Sequence, residues 1–325
     1  MLRLRLSRPA IGLDCGLMIQ ISNIFTGFKP LRRCCSLAAF LVLGLNLVIL
    51  QLAVANLGQN TAGDDSAVNS FFEQAYQALQ QGNTDAALII FEQVLQQDDR
   101  NLAALLGRAL IYAEQSRHAE AFSAYNQIVE HFPTHAIAWN GRGLAAFNLE
   151  DFDQALISFK RATQDLPVNG FFYESLAWTQ ICRGEYQDAA ESAKTSMLMY
   201  SRNGDKAIYP LLIAYFSYLE SGDLNNSQRT LKYAKNNYDP ESWPAPVINY
   251  LAGELSQSDL ISFVMNAAEE TEAHTYIGLK LRGEQKFTAA NAHFEWVSQH
   301  GESAVFEYTL ARAMNVRRSM AELKL

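Results

Sequence analysis

His131 and His135 stand four residues apart, the spacing at which two imidazoles on one helical face can share a metal ion. Pro133 lies between them. Proline lacks an N–H and clashes with the preceding turn, so the continuous helix that such a pair needs is excluded and a solvated loop pair is expected. The run Glu269-Glu270-Thr271-Glu272 carries the residue types of general acid–base catalysis. It sits where a helical hairpin should start, and acidic residues there complement the positive end of the helix dipole without any further role. Cys182 is the only cysteine after Cys15, Cys34 and Cys35, so the body has no internal disulfide, and no zinc spacing surrounds it. A buried, inert thiol is expected. G-x-S-x-G, P-loop and dinucleotide fingerprints are all missing. The residues therefore point away from an enzyme, and no cofactor or metal is implied.

The elements that hold these side chains are best read from Ala136–Pro167. There, Trp139, Gly143 and Ala146 are followed by Ala155, Phe159, Ala162 and Pro167. The spacing describes two antiparallel helices: small residues where they cross, large ones facing the neighbouring unit, and a proline that stops the second helix. One step of 34 residues back puts Ala109, Ala121, Tyr125, Ile128 and Pro133 in the same places. A second step gives Ala75, Gly82, Ala87, Phe91 and Val94, and a step forward gives Tyr173, Ala177, Gly184, Ala189 and Ala193. The register slips by four residues at Ser201–Lys206, after which Gly222, Ser227, Leu231, Ala234 and Asp239-Pro240 form a fifth unit. Units are placed at about 68–101, 102–135, 136–169, 170–203 and 208–240. Residues 241–325 form a helical extension and cap, with short helices at Val247–Leu251 and Asp259–Ala267, a sixth hairpin from Ala273–Leu281 and Phe287–Val297, and a closing helix at Phe306–Met314. Arg317-Arg318, Glu322 and Lys324 give that cap its polar end.

On these residues, 66–240 resemble tetratricopeptide repeat proteins. Arg142 and Ala146 stand where that motif usually has Leu and Tyr. The resemblance implies an all-α fold, a right-handed superhelical solenoid of helical hairpins. The Trp243-Pro244, Tyr250-Leu251-Ala252-Gly253, Glu272-Ala273, Tyr276-Ile277-Gly278 and Glu307-Tyr308 motifs are similar to the C-terminal part of bacterial envelope repeat proteins of the lipoprotein NlpI type. That second resemblance implies an envelope adaptor, although no cysteine stands between the apolar run and Cys182 to carry a lipid.

In such a superhelix the first helix of each hairpin lines the concave face. This selects Phe72 and Tyr76, Leu106 and Leu110, Asn140, Leu144 and Phe147, Phe171, Glu174, Trp178 and Ile181, then Tyr209, Leu212 and Phe216. Carboxylate capture needs cationic and amide donors, and only Asn140 fits. The apolar lining suits a helical or extended apolar segment of another protein. Two occupants stay open: such a partner, or the chain's own later helices with self-association as a structural membrane protein.

Ahead of the repeats, Leu37–Leu57 is apolar and long enough to span a bilayer, and residues 58–65 form a polar linker. The basic flank before the apolar run and Asp64-Asp65 after it place the body outside the cytosol, periplasmic in a bacterium. The run is either an uncleaved signal-anchor or a signal cut at Ala53-Val54-Ala55 to export a soluble protein, with Met1 or Met18 as the start. Hydrophobic residues make up 49% of the 325, enough for a packed core. Downstream of residue 55 there are 20 basic and 33 acidic residues, a net charge near −13. Such a body is a poor partner for nucleic acid or anionic lipid.

Overall fold

The computed structural model describes residues 65–204 and 207–322, with side chains described from 70 to 315. The apolar segment 37–57 and the linker 58–64 lie outside the described residues, as do the side chains of the polar end after residue 315. Among the described residues every regular element is a helix, and no helix is long and apolar enough to cross a membrane.

Five hairpins run in order. Helices α1 (Asp65–Gln80) and α2 (Thr84–Gln97) form the first, α3 (Leu102–Glu114) and α4 (His118–His131) the second, and α5 (Ala136–Asn148) and α6 (Phe152–Asp165) the third. The fourth pairs α7 (Gly170–Arg183) with α8 (Tyr186–Arg202), and the fifth pairs α9 (Tyr209–Glu220) with α10 (Leu224–Asn237). Caps explain the boundaries. Asn83, Asn101, Asp151, Asn169 and Asp223 each accept a backbone N–H in the first turn of the following helix, satisfying donors that have no intrahelical partner. His135 does the same with a ring nitrogen, Nδ1 accepting from Ala138 N at 3.1 Å. The expected solvated loop pair is therefore corrected: His131 ends α4, while His135 is a half-buried cap of α5.

The 34-residue period is written in the backbone as well as in the side chains. The turn inside each of the first four hairpins uses one left-handed residue: Gly82, Ser116, Glu150 and Gly184. Gly222 follows 38 residues after Gly184 with the same conformation, which displays the four-residue slip. Glycine adopts this conformation without a Cβ penalty, whereas Ser116 and Glu150 carry one.

Packing repeats with the same period. A Cβ on Gly107 would lie 2.5 Å from the Phe91 ring, and 34 residues on a Cβ on Gly141 would lie 2.4 Å from the Tyr125 ring; within the third hairpin, one on Gly143 would lie 2.6 Å from the Phe159 ring. The small residues thus make room for the buried aromatic ring of an adjacent helix, in the same hairpin for Gly143 and in the preceding hairpin for Gly107 and Gly141. Arg142, which departs from the usual Leu, is a buried polar hub. Its guanidinium donates to Asn126 Oδ1 (2.9 Å), Ser158 Oγ (2.6 Å) and Gln154 Oε1 (2.8 Å) and lies 4.4 Å from the Phe122 ring centroid.

After the fifth hairpin come α11 (Ala245–Leu251), α12 (Gln257–Ser262), a hairpin of α13 (Ala267–Gly283) and α14 (Phe287–His300), and a closing helix α15 (Phe306–Glu322). Two expectations change here. The helix expected over Asp259–Ala267 ends at Ser262, and α13 begins at Ala267 instead of Ala273. The cause is Asn266, whose side chain accepts from Glu269 N at 3.0 Å and so restarts the helix. Buried apolar residues form two clusters that divide within α5: one runs from Phe72 to Ala145, the other from Ala146 to Met314.

Candidate functional site

The concave positions fall into two groups with different surroundings. In the later group, Phe147, Trp178, Ile181, Leu212 and Phe216 are all buried, Phe147 to 1% and Trp178 to 2% exposure. What covers them is the chain itself. Phe306, the first residue of α15, stacks on Trp178 with ring centroids 5.8 Å apart and planes 7° from parallel. The same ring lies 5.1 Å from Phe147 and 6.4 Å from Phe171. Farther along, Tyr276 of α13 stacks on Phe216 at 5.7 Å. An ion pair between Arg312 of α15 and Glu150 in the α5–α6 turn closes the seat from its edge. The lining expected at Phe147, Phe171, Trp178, Ile181 and Phe216 is thus filled, because α13 and α15 bring aromatic rings into it.

The earlier group is different. Phe72 and Leu106 are buried within the hairpin core, Phe72 against Phe91 with ring centroids 6.2 Å apart. Tyr76, Leu110 and Leu144 remain half-buried. Leu144 leans on the second cluster, whereas Tyr76 and Leu110 belong to neither. Asn140 is buried, and its Oδ1 has no hydrogen-bond partner among the described residues. A buried carbonyl without a donor costs about 1–3 kcal/mol.

The acidic run at the start of α13 does more than was expected of it. Glu269 does act at the N-terminus, accepting from Met265 N at 2.8 Å. Glu272 is buried to 3% exposure, accepting from the Tyr209 hydroxyl (3.1 Å) and from Trp243 Nε1 (2.8 Å). Glu307 of α15 is equally buried and accepts from the Tyr276 hydroxyl. Glu174 of α7 is half-buried and accepts from the Tyr200 hydroxyl at 2.9 Å. Burial, reinforced by the charge of Glu307, pushes the Glu174 carboxyl up to about 7. Burial first, then the charges of Glu307 and Glu269, raises Glu272 well above the ordinary carboxylate range, and burial raises Glu307 as well. Among the described residues no lysine, arginine or histidine hydrogen-bonds these three carboxylates. Sequence reasoning missed Glu272 and Glu307 because their burial depends on contacts between segments far apart in the chain. The only available signal was the apolar spacing Phe306, Leu310, Ala311, Met314 beside a lone Glu307.

A histidine pair also escaped sequence reasoning. His293 Nδ1 lies 3.2 Å from His274 Nδ1, His293 Nε2 lies 3.1 Å from Gln257 Nε2, and His274 stacks on Trp296 at 3.8 Å. Burial, with the charges of His293 and His300, lowers His274 to about 4, so the pair is neutral near pH 7. Among the described residues no three His, Cys, Asp or Glu side chains are grouped to hold a metal ion. Cys182 is buried and reduced.

Residues 72–135 and 123–169 match a family model described as tetratricopeptide repeat. ER membrane protein complex subunit 2-A of Xenopus laevis is 25% identical over 166 residues, which cover 50% of this chain and 54% of that protein. ER membrane protein complex subunit 2 of Xenopus tropicalis is 26% identical over 161 residues, 49% of this chain and 52% of that protein. The chain thus spans about half the length of the curated relatives it matches. A crystal structure of a tetratricopeptide repeat protein from Parabacteroides merdae superposes with a TM-score of 0.56 at 14% identity, covering 76% of this chain and 98% of that one. That likeness speaks for the fold alone. The helical hairpins of residues 72–169 are thus similar to tetratricopeptide repeats and lie within an array that is all-helical among the described residues.

Proposed function

We propose that the chain is a non-catalytic scaffold that holds an apolar or helical segment of another protein against the first three hairpins of its concave face. The observation that carries this function is the contrast at Tyr76, Leu110 and Leu144. They stay half-buried, while the same face farther along is filled. An apolar strip suits a segment that supplies apolar side chains to it. The N-terminal apolar run would tether this scaffold to a membrane with the body outside the cytosol, or export it after cleavage at Ala55. The loose likeness to NlpI-type envelope adaptors agrees with a place in a cell envelope. The names of the curated relatives, subunits of a membrane protein complex, agree with a partner found in a membrane assembly.

The alternative, a self-associating structural membrane protein with a self-filled groove, is favoured by one observation, the seating of Phe306 among Phe147, Phe171 and Trp178. Site-specific photocrosslinking in the full-length chain separates the two. A crosslinker at Leu110 or Leu144 is expected to give adducts with a different protein, and one at the exposed convex residue Ile157 none. Adducts only between copies of the chain would favour self-association.

A further inference from the structure

The seat of α15 has an unusual chemistry for a structural contact. Helix α15 is joined to α14 through residues 301–305, of which 302–304 are exposed. At its first turn it places two groups side by side into the concave face: the Phe306 ring against Trp178, and the Glu307 carboxylate under the Tyr276 hydroxyl. The groups around that carboxylate can be named helix by helix. Helix α13 contributes Tyr276 and Glu272, with Glu269 one turn before; α7 contributes Glu174; α9 contributes Tyr209, bonded to Glu272; and α8 contributes Tyr200, bonded to Glu174. On α15 itself the nearest basic group, Arg312, is engaged with Glu150 and with the Tyr308 hydroxyl. With the Trp178 indole at Glu174 and the Trp243 indole at Glu272, the polar side chains acting on the three carboxylates are, among the described residues, acids, phenols and indoles. Ionised carboxylates brought together in a low-dielectric site repel one another, whereas protonated ones donate and accept hydrogen bonds.

We propose that α15 is a releasable cover over the Phe147–Trp178 part of the concave face, seated while the Glu174, Glu272 and Glu307 cluster holds protons and released as the cluster ionises. This deepens the scaffold function proposed above and rests on it for the use of the uncovered site. With α15 lifted, the aromatic pocket vacated by Phe306 joins the open strip at Leu110 and Leu144 and receives an aromatic anchor from the partner segment. The linkage has a definite sign. Groups whose carboxyls are raised in the seated state stabilise it at low pH, and that stability is lost as pH rises through the raised values. Release therefore proceeds from about pH 6 upward, where an ordinary solvent-exposed carboxylate has already finished titrating.

Hydrogen–deuterium exchange on the full-length chain tests this, with rates corrected for the intrinsic pH dependence of exchange. Between about pH 6 and pH 8, opening of the α15 amides is expected to increase roughly tenfold, the effect of shifting one carboxyl by one pKa unit. Amides of α2 and α4 should stay level. In Glu272→Gln and Glu307→Gln variants the pH dependence should shrink, since the amide keeps an acceptor for Tyr209, Trp243 or Tyr276 and cannot ionise. Corrected α15 protection in the unmodified chain that is flat across this range overturns the proposal, whatever the variants do. Unchanged pH dependence in the double variant Glu272→Gln/Glu307→Gln also overturns it. Failure of the scaffold function would appear instead as missing adducts at Leu110 and Leu144 with this exchange profile intact.

Discussion

The same concave face is built twice in this molecule, and the two versions differ in what sits on them. In the first three hairpins Tyr76, Leu110 and Leu144 line it half-buried, with Asn140 Oδ1 unpartnered. From Phe147, at the end of the third hairpin's first helix, through Trp178 and Phe216 of the fourth and fifth hairpins, it is lined by fully buried rings under Phe306 and Tyr276. Both groups of residues come from the first helices of hairpins, so repeat architecture alone does not decide whether a concave residue is a docking residue or a core residue. The decision is made by segments that are not part of the five-hairpin array, α13 and α15.

Substitutions should expose that difference, most strongly in the covered part. Trp178→Ala or Phe147→Ala removes a fully buried aromatic ring and is expected to cost about 3–5 kcal/mol of stability, measured by chemical denaturation. Leu110→Ala, at the equivalent face of the open part, is expected to cost under about 1 kcal/mol and to act on partner crosslinking instead. Equal losses at Trp178 and Leu110 would erase the distinction. Phe306→Ala takes a half-buried ring out of the seat, and a loss of roughly 2 kcal/mol is expected, with faster exchange confined to α15. A smaller effect follows from pH: burial holds Glu174 near 7 and raises Glu272 and Glu307, so the covered part should weaken as pH rises through neutrality while the open part does not. Smallest of all, Ser116→Gly relieves a left-handed backbone in the second hairpin and should raise stability by under about 1 kcal/mol.

Much of the array was legible because it is local and repeated. Gly143, Ala155, Phe159 and Pro167 define one hairpin, and a step of 34 residues finds the others. The left-handed turns at Gly82, Ser116, Glu150 and Gly184 keep the same step. Two of those four are not glycine, so glycine alone would have missed them. The C-terminal region was read less well because its boundaries depend on single caps, as at Asn266, and because its hairpin lacks the proline punctuation of the earlier units. For the site, residue choice and exposure must be separated. The concave positions could be named from spacing, but the cover on them could not, since Phe306 reaches Phe147 and Trp178 across more than a hundred residues of chain. Glu272 was misjudged for the same reason. A carboxylate near a helix start is ordinarily a solvated dipole partner, and only the approach of Tyr209, Trp243 and Glu307 makes it a buried acid.

The division of the concave face is tested most directly by hydroxyl-radical footprinting of the full-length chain, read residue by residue. Rapid modification at Tyr76, Leu110 and Leu144, with strong protection of Phe147 and Trp178, is the expected result. Comparable modification rates at Leu110, Phe147 and Trp178 would show that α15 does not cover the later hairpins, and would contradict the account.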